Sequence, residues 1–153
     1  MGETARILVV DDDKSIRKTL AAILEEEGYI VETAENGKEA IEKSNTQFFN
    51  LALIDIRLPD MPGTKLLTAM KETTPKMVKI IVTGYPSLHN AIEAVNNGAD
   101  AYVLKPVDAE SLLKTVEEHL EKQKEARKYS EQKVAEFIES RAQELARAPS
   151  SLG

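Results

Sequence analysis

Leu51-Ala52-Leu53-Ile54-Asp55 is the stretch on which the reading of this chain turns. Four apolar residues end in one carboxylate, and Arg57-Leu58-Pro59-Asp60-Met61-Pro62-Gly63 follows. A short apolar run without alternation, closed by a Pro/Gly-rich turn, reads as a strand buried on both faces. Asp55 then stands where that strand emerges at its C-terminal end. In open parallel α/β sheets, ligands bind along that edge. A lone Asp at such a place more often just starts a turn, so the rest of the chain has to decide.

The same pattern recurs on both sides. Ile7-Leu8-Val9-Val10 is a buried run that ends in Asp11-Asp12-Asp13. Residues 29–34 read as a second strand, more exposed because Glu32 interrupts it. Val78 to Val82 ends at Thr83-Gly84, and Ala101 to Leu104 ends at Lys105-Pro106. Helical spacing fills the gaps. Ile16, Leu20, Ile23 and Leu24 follow an N-cap at Asp13 and stop at Gly28. Asn36 and Glu39 resemble a capping box at the start of a second helix. Leu66, Leu67 and Met70 give the third helix one apolar side, with Pro75 just past its end. Leu88, Ala91, Ile92 and Val95 mark a fourth, stopped by Asn97-Gly98. Asp108 caps a fifth that carries Leu112, Leu113, Val116 and Leu120. Five strand–helix units in strict alternation predict an α/β fold, a doubly wound parallel sheet with helices on both faces. Periodicity leaves the strand order open.

Composition narrows the class. A chain of 153 residues, 42% hydrophobic, has room for one core and a short appendage. A net charge of -6 speaks against a general nucleic-acid binder, because phosphate backbones want a basic surface. With no cysteine, disulfides and thiolate metal sites are excluded. His89 and His119 are far apart in sequence and read as solvated helix residues rather than ligands. The apolar runs fall short of the ~18 residues a membrane span needs. Nor does the start of the chain read as a basic-then-apolar signal segment. A soluble protein in the cytoplasm is the expectation.

In a parallel sheet the ends of these strands share one edge. Four of them would deliver Asp11 and Asp12, Asp55, Thr83 and Lys105 to a single site. Two carboxylates ~4 Å apart repel by about 4 kcal/mol at an effective dielectric of ~20. Three together call for a cation. All-oxygen ligands suit a hard ion, and Mg²⁺ before Ca²⁺ because waters can complete its octahedron. Adding a lysine and a hydroxyl makes a site suited to holding a phosphoryl group. One carboxylate can then act as nucleophile and form an acyl phosphate. Asp55 stands alone and is the best candidate, while the paired Asp11 and Asp12 suit the metal.

Val9-Val10-Asp11-Asp12, Ile54-Asp55 with Pro59 and Gly63, Val82-Thr83-Gly84 and Leu104-Lys105-Pro106 together resemble the receiver domain of two-component response regulators. The resemblance covers about residues 5–121, in order and with the family's spacing. It implies a flavodoxin-like five-stranded sheet of order 2-1-3-4-5. It also implies that Asp55 accepts phosphate from a histidine kinase or phosphotransfer protein. Asp12 would be a direct Mg²⁺ ligand, Asp11 would hold a metal-bound water, and the Arg57 carbonyl would complete the protein ligands. Thr83 would close on the phosphoryl oxygen, Lys105 would pair with it, and Tyr102 would turn inward on activation. Arg57 and Tyr85 occupy the positions that tune hydrolysis of the phospho-aspartate. The Lys105–Pro106 peptide is commonly cis in the family. A charge-assisted bond to Thr83 is worth about 1.5–3 kcal/mol, whereas reversing a 1:99 equilibrium takes about 5.5 kcal/mol. Lys105, the metal and Tyr102 burial must therefore contribute, or the unphosphorylated protein already samples the active form. The face expected to change is the fourth helix, fifth strand and fifth helix.

Past Leu120 the chain turns polar from Glu121 to Lys133, and then Val134, Phe137, Ile138, Ala142 and Leu145 recur at helical spacing. No Gly or Pro occurs from Val107 to Ala148, so the fifth helix is expected to run on unbroken. The divisions expected are a receiver at 5–121, a helical extension at 122–148 and a flexible tail at 149–153. Two readings of the extension compete: a homodimerising coiled coil or helical pair, or a solvated linker helix towards an output domain. An aspartyl-phosphate enzyme like the haloacid dehalogenase group is the alternative function. Those enzymes carry an acid two residues after the nucleophile, where this chain has Arg57. A scaffold acting through the tail alone leaves the acidic constellation unexplained. The reading preferred is a signalling switch rather than a turnover enzyme, without direct nucleic-acid or membrane binding.

Overall fold

The buried runs become the strands of one sheet. In the computed structural model, which describes residues 4–147, these are β1 (Arg6–Val10), β2 (Ile30–Ala34), β3 (Leu51–Asp55), β4 (Val78–Thr83) and β5 (Ala101–Leu104). All pair in parallel, in the order β2-β1-β3-β4-β5. Between and after them come α1 (Lys14–Glu26), α2 (Gly37–Thr46), α3 (Gly63–Ala69), α4 (Leu88–Asn96) and α5 (Ala109–Arg147). The first and third strands are neighbours, with Val10 beside Ile54, and Asp55 lies beside Val82. Thr83 in turn lies beside Leu104. The strand ends therefore finish nearly level along one edge.

Side chains alternate across a strand, so apolar runs without alternation feed two cores. Leu8, Val10, Ala52, Ile54 and Ile81 face α2, α3 and α4, packing with Phe49, Leu66 and Leu67. Ile7, Val9, Leu51, Leu53, Ile80 and Val82 face α1 and α5, packing with Leu20, Leu24, Leu112 and Val116. Each such buried aliphatic contributes about 1.5–3 kcal/mol. That sum holds five carboxyl-edge loops in a fixed relation.

Caps appear where expected. Asp13, Asn36 and Asp108 accept from the backbone N–H of Ile16 (3.1 Å), Glu39 (2.8 Å) and Ser111 (2.9 Å). The capping box differs in its return bond: the Glu39 carboxylate accepts from the N–H of Glu35, one residue before the cap. Gly28 and Gly98 stop α1 and α4 with φ of 95° and 96°, a conformation that favours glycine.

One expectation needs correction, and two others gain a detail. The helix α3 ends at Ala69, so Pro75 lies well past it, after an irregular segment. As expected, β2 is more exposed than β1, β3 and β4, but Glu32 is not the cause: its Oε1 accepts from Gln47, and its Oε2 is buried without a partner. In α4 the apolar stripe is not core. Only Ala94 is buried there, while Leu88, Ile92 and Val95 are 78%, 52% and 70% exposed. A short helix seated on a small residue leaves its larger ones outside.

The loop after β3 has no slack. A Cβ at Gly63 would lie 2.1 Å from the backbone oxygen of Asp55, a distance at which one of the two must move. Gly63→Ala is expected to destabilise the fold by about 3 kcal/mol or more and to shift the Asp55 backbone. Urea unfolding checks the first, and the amide shifts of residues 55–57 check the second. A variant within 0.5 kcal/mol of the parent, the range of an ordinary surface substitution, would contradict this packing.

Candidate functional site

Every polar atom of Asp11 is engaged. Its N–H donates to Ala34 O (3.1 Å), and its carbonyl accepts from the Arg17 guanidinium (2.6 Å). Its Oδ1 accepts from the Asp13 N–H (2.8 Å), and its Oδ2 from Lys105 Nζ (2.8 Å). Asp11 is buried, and Asp12 beside it is exposed. From the neighbouring strand end Asp55, 6% exposed, brings its Oδ2 to 3.3 Å from Lys105 Nζ, while its Oδ1 accepts from the Arg57 N–H at 3.3 Å. Asp11, Asp12 and Asp55 each offer an oxygen, and these oxygens lie within 4.8 Å of one another. The donor set is all carboxylate, partly open to solvent through Asp12. It fits a hard divalent ion that keeps several waters.

Burial first, then the charge of Asp11, pushes the Asp55 carboxyl up from its ordinary value, against the pull of the Arg57 N–H and Lys105. Burial alone would lower the Lys105 ammonium, but its hydrogen bond to Asp11 and the charges of Asp11 and Asp55 outweigh that and raise it. The lysine stays protonated and bridges two carboxylates.

The other site residues predicted from sequence lie on β4, β5 and the loops after β3 and β4. Thr83 is fully buried at the end of β4, and its Oγ1 accepts from the Tyr85 N–H (2.9 Å). The Arg57 guanidinium stacks on the Tyr85 ring, 3.7 Å from its centroid, so these two residues cover one place together. The Lys105–Pro106 peptide is cis. Tyr102 already packs against the α2–α3–α4 core, and its hydroxyl is enclosed without a partner.

Sequence reading missed two contributors. Arg17 is mostly buried, holds the Asp11 carbonyl and reaches Glu35 at 3.8 Å. Helical side chains lean towards the helix start, so a long cation one turn into α1 could have been suspected. Asp60 caps α2 from the loop after β3, accepting from the N–H of Gly37 (2.9 Å) and Lys38 (2.8 Å). These bonds hold its carboxyl below the usual range. An Asp in a Pro/Gly turn gives no sign of such a distant partner.

Residues 7–117 match the family described as response regulator receiver domain. This chain belongs to that family. Accepting a phosphoryl group on an aspartate is the general function of this domain. Receiver domains bind Mg²⁺ at an acidic cluster of the kind formed here by Asp11, Asp12 and Asp55. The transcriptional regulatory protein ZraR of Klebsiella oxytoca is 42% identical over 119 residues, 78% of this chain and 27% of that protein. The match thus spans about a quarter of the length of the ZraR relatives. A CheY-like receiver from Methanospirillum hungatei JF-1 superposes with a TM-score of 0.78 at 48% identity, covering 81% of this chain and 99% of that one. The beryllofluoride-activated NtrC4 receiver domain dimer gives 0.72 at 39%, covering 77% and 98%.

Asp55 holds its proton more tightly in the fold than in the unfolded chain. Ionising it therefore costs stability. That cost is absent below the ordinary value of 3.8, grows as pH rises through the folded value and is complete above it. Without metal, Asp55→Asn is expected to be more stable than the parent at pH 7. The gain reflects the burial cost first and the repulsion by Asp11 second, and it vanishes towards pH 3. Thermal unfolding across pH checks this, and an Asn variant less stable at pH 7 would contradict it.

Proposed function

We propose that Asp55 is the phospho-acceptor of this receiver, taking its phosphoryl group from the phosphohistidine of a histidine kinase or phosphotransfer protein. The observation that carries the reading is the meeting of Asp55 with Asp11 and Asp12, with the Lys105 ammonium bridging Asp55 and Asp11. Asp11, Asp12, Asp55 and the Arg57 carbonyl would hold Mg²⁺. When bound, the ion supplies positive charge against the carboxylates and the phosphoryl oxygens. The Arg57 N–H orients the Asp55 carboxylate. As an Asp55 oxygen bonds to phosphorus, the donor's P–N bond breaks and its electron pair returns to the imidazole. Lys105 then exchanges its carboxylate partners for phosphoryl oxygens. The Thr83 hydroxyl accepts from Tyr85 and keeps its own proton to donate. The Arg57–Tyr85 stack governs how water reaches the phospho-aspartate, and so its lifetime.

The chain acts as a switch that assists its own phosphorylation and dephosphorylation, not as a turnover enzyme. Signal leaves by the α4–β5–α5 face. Leu88, Ile92, Val95 and Leu104 are exposed there, an apolar surface suited to a partner or a second copy. The activated NtrC4 receiver is a dimer, which supports self-association, either here or through the long α5. Residues 5–121 form the receiver and 122–148 the extension. The expected tail at 149–153 lies outside the described residues. Among the described residues no helix is long and apolar enough to cross a membrane. A cytoplasmic setting, without direct nucleic-acid contact by this chain, fits its charge of -6.

With acetyl phosphate and Mg²⁺, the wild type is expected to take one alkali-labile phosphoryl group per chain, and Asp55→Asn none. Thr83→Ala is expected to label like the parent but to lose the amide-shift changes at α4 and β5. Intact labelling of Asp55→Asn overturns the acceptor assignment. An unchanged response in Thr83→Ala overturns the coupling.

A further inference from the structure

Lys124 to Ala146 of α5 are all exposed. The apolar residues among them are large: Tyr129, Val134, Phe137, Ile138 and Leu145 are 57–73% exposed. At 3.6 residues per turn, positions 127, 131, 134, 138, 141 and 145 form one stripe, flanked by Phe137. Its occupants are Arg127, Glu131, Val134, Ile138, Arg141 and Leu145.

The order of charges along the stripe decides how it can be covered. Two copies in parallel and in register would set Arg127 on Arg127, Glu131 on Glu131 and Arg141 on Arg141, three like-charge layers. Reversing one copy about a centre near Glu136 changes each of them. Glu131 then faces Arg141 of the second copy, Val134 faces Ile138, and Arg127 faces Leu145. The two Phe137 rings fall at the middle. Bulk charge agrees: residues 120–133 carry five cations and three anions, and residues 134–147 carry three anions and two cations. Opposite halves therefore meet only when the helices run opposite ways. The groove between α5 and the loop before β4, lined by Phe48, Pro75, Ala126 and Ser130, opens beside Arg127. Phe48 is 40% exposed in it.

We propose that α5 binds a second copy of this chain as an antiparallel, two-fold pair centred near Glu136, with Val134, Phe137 and Ile138 at its core and Glu131–Arg141 ion pairs on either side. This specifies the second of the two self-association surfaces proposed above. It leaves phospho-acceptance at Asp55 untouched, so either can fail alone.

The chain has no cysteine, so single spin labels can be placed cleanly on the full chain at Glu125→Cys, Glu136→Cys and Ala146→Cys. In an antiparallel pair the axial offset between labels grows by about 3 Å per residue from the centre, from a rise of ~1.5 Å. It is expected near zero at 136, about 30 Å at 146 and about 33 Å at 125. Equal short distances at all three sites, a parallel pair, or no dipolar signal at any, a monomer, would overturn the proposal. Glu131→Arg is expected to weaken the pair roughly tenfold, a loss of about 1.4 kcal/mol, and adding Arg141→Glu to recover it. A double variant weaker than the single would overturn the register.

Discussion

One ammonium group holds the carboxyl edge of this sheet together. Lys105 Nζ lies 2.8 Å from Asp11 and 3.3 Å from Asp55, the ends of two adjacent strands. Without it, two mostly buried carboxylates would face each other across a short gap, a repulsion of about 4 kcal/mol at ~4 Å. The rest of the site is arranged around that constraint. Backbone and side-chain donors fix all four polar atoms of Asp11. A lysine on β5's end can reach it only because β1 and β3 are neighbours while β4 and β5 continue the same edge.

On the function proposed, the same arrangement would make the site responsive. A lysine bridging two carboxylates can exchange them when other charges enter. In that proposal the neighbouring groups would follow: Thr83 is buried with a hydroxyl proton to give, and the Tyr102 hydroxyl is enclosed without a partner. An unmatched buried hydroxyl is disfavoured by about 1–3 kcal/mol, so a shift of the loop after β4 that supplied an acceptor would stabilise the new position. The exposed apolar side of α4, beside that loop, is where such a shift would be read.

Much of this was legible in the sequence, because the signals were local. Unalternating runs such as Leu51 to Ile54 identify strands covered on both faces, and the residue ending each run sits on the ligand edge. Strand order came from the resemblance, since periodicity does not encode it. What escaped depended on contacts across the fold. Helical spacing locates the stripe of Leu88, Ile92 and Val95 but not whether it faces in, and α4 seats on Ala94 instead. Lys79, in the middle of an apolar run, is buried with its Nζ donating to Leu67 O at the end of α3. Asp60 reads as a turn residue yet caps a helix more than twenty positions away. Arg17 reads as a solvated helix cation yet fixes the first acid of the site.

Convergence of the strand ends on one cation-binding cluster is the central claim, and a Mg²⁺ titration followed by amide NMR tests it most directly. Saturable shifts are expected at residues 11–13, 55–57 and 105, and lost in Asp12→Ala. Shifts scattered over the acidic residues of α5, or shifts at the strand ends that survive Asp12→Ala, would contradict it.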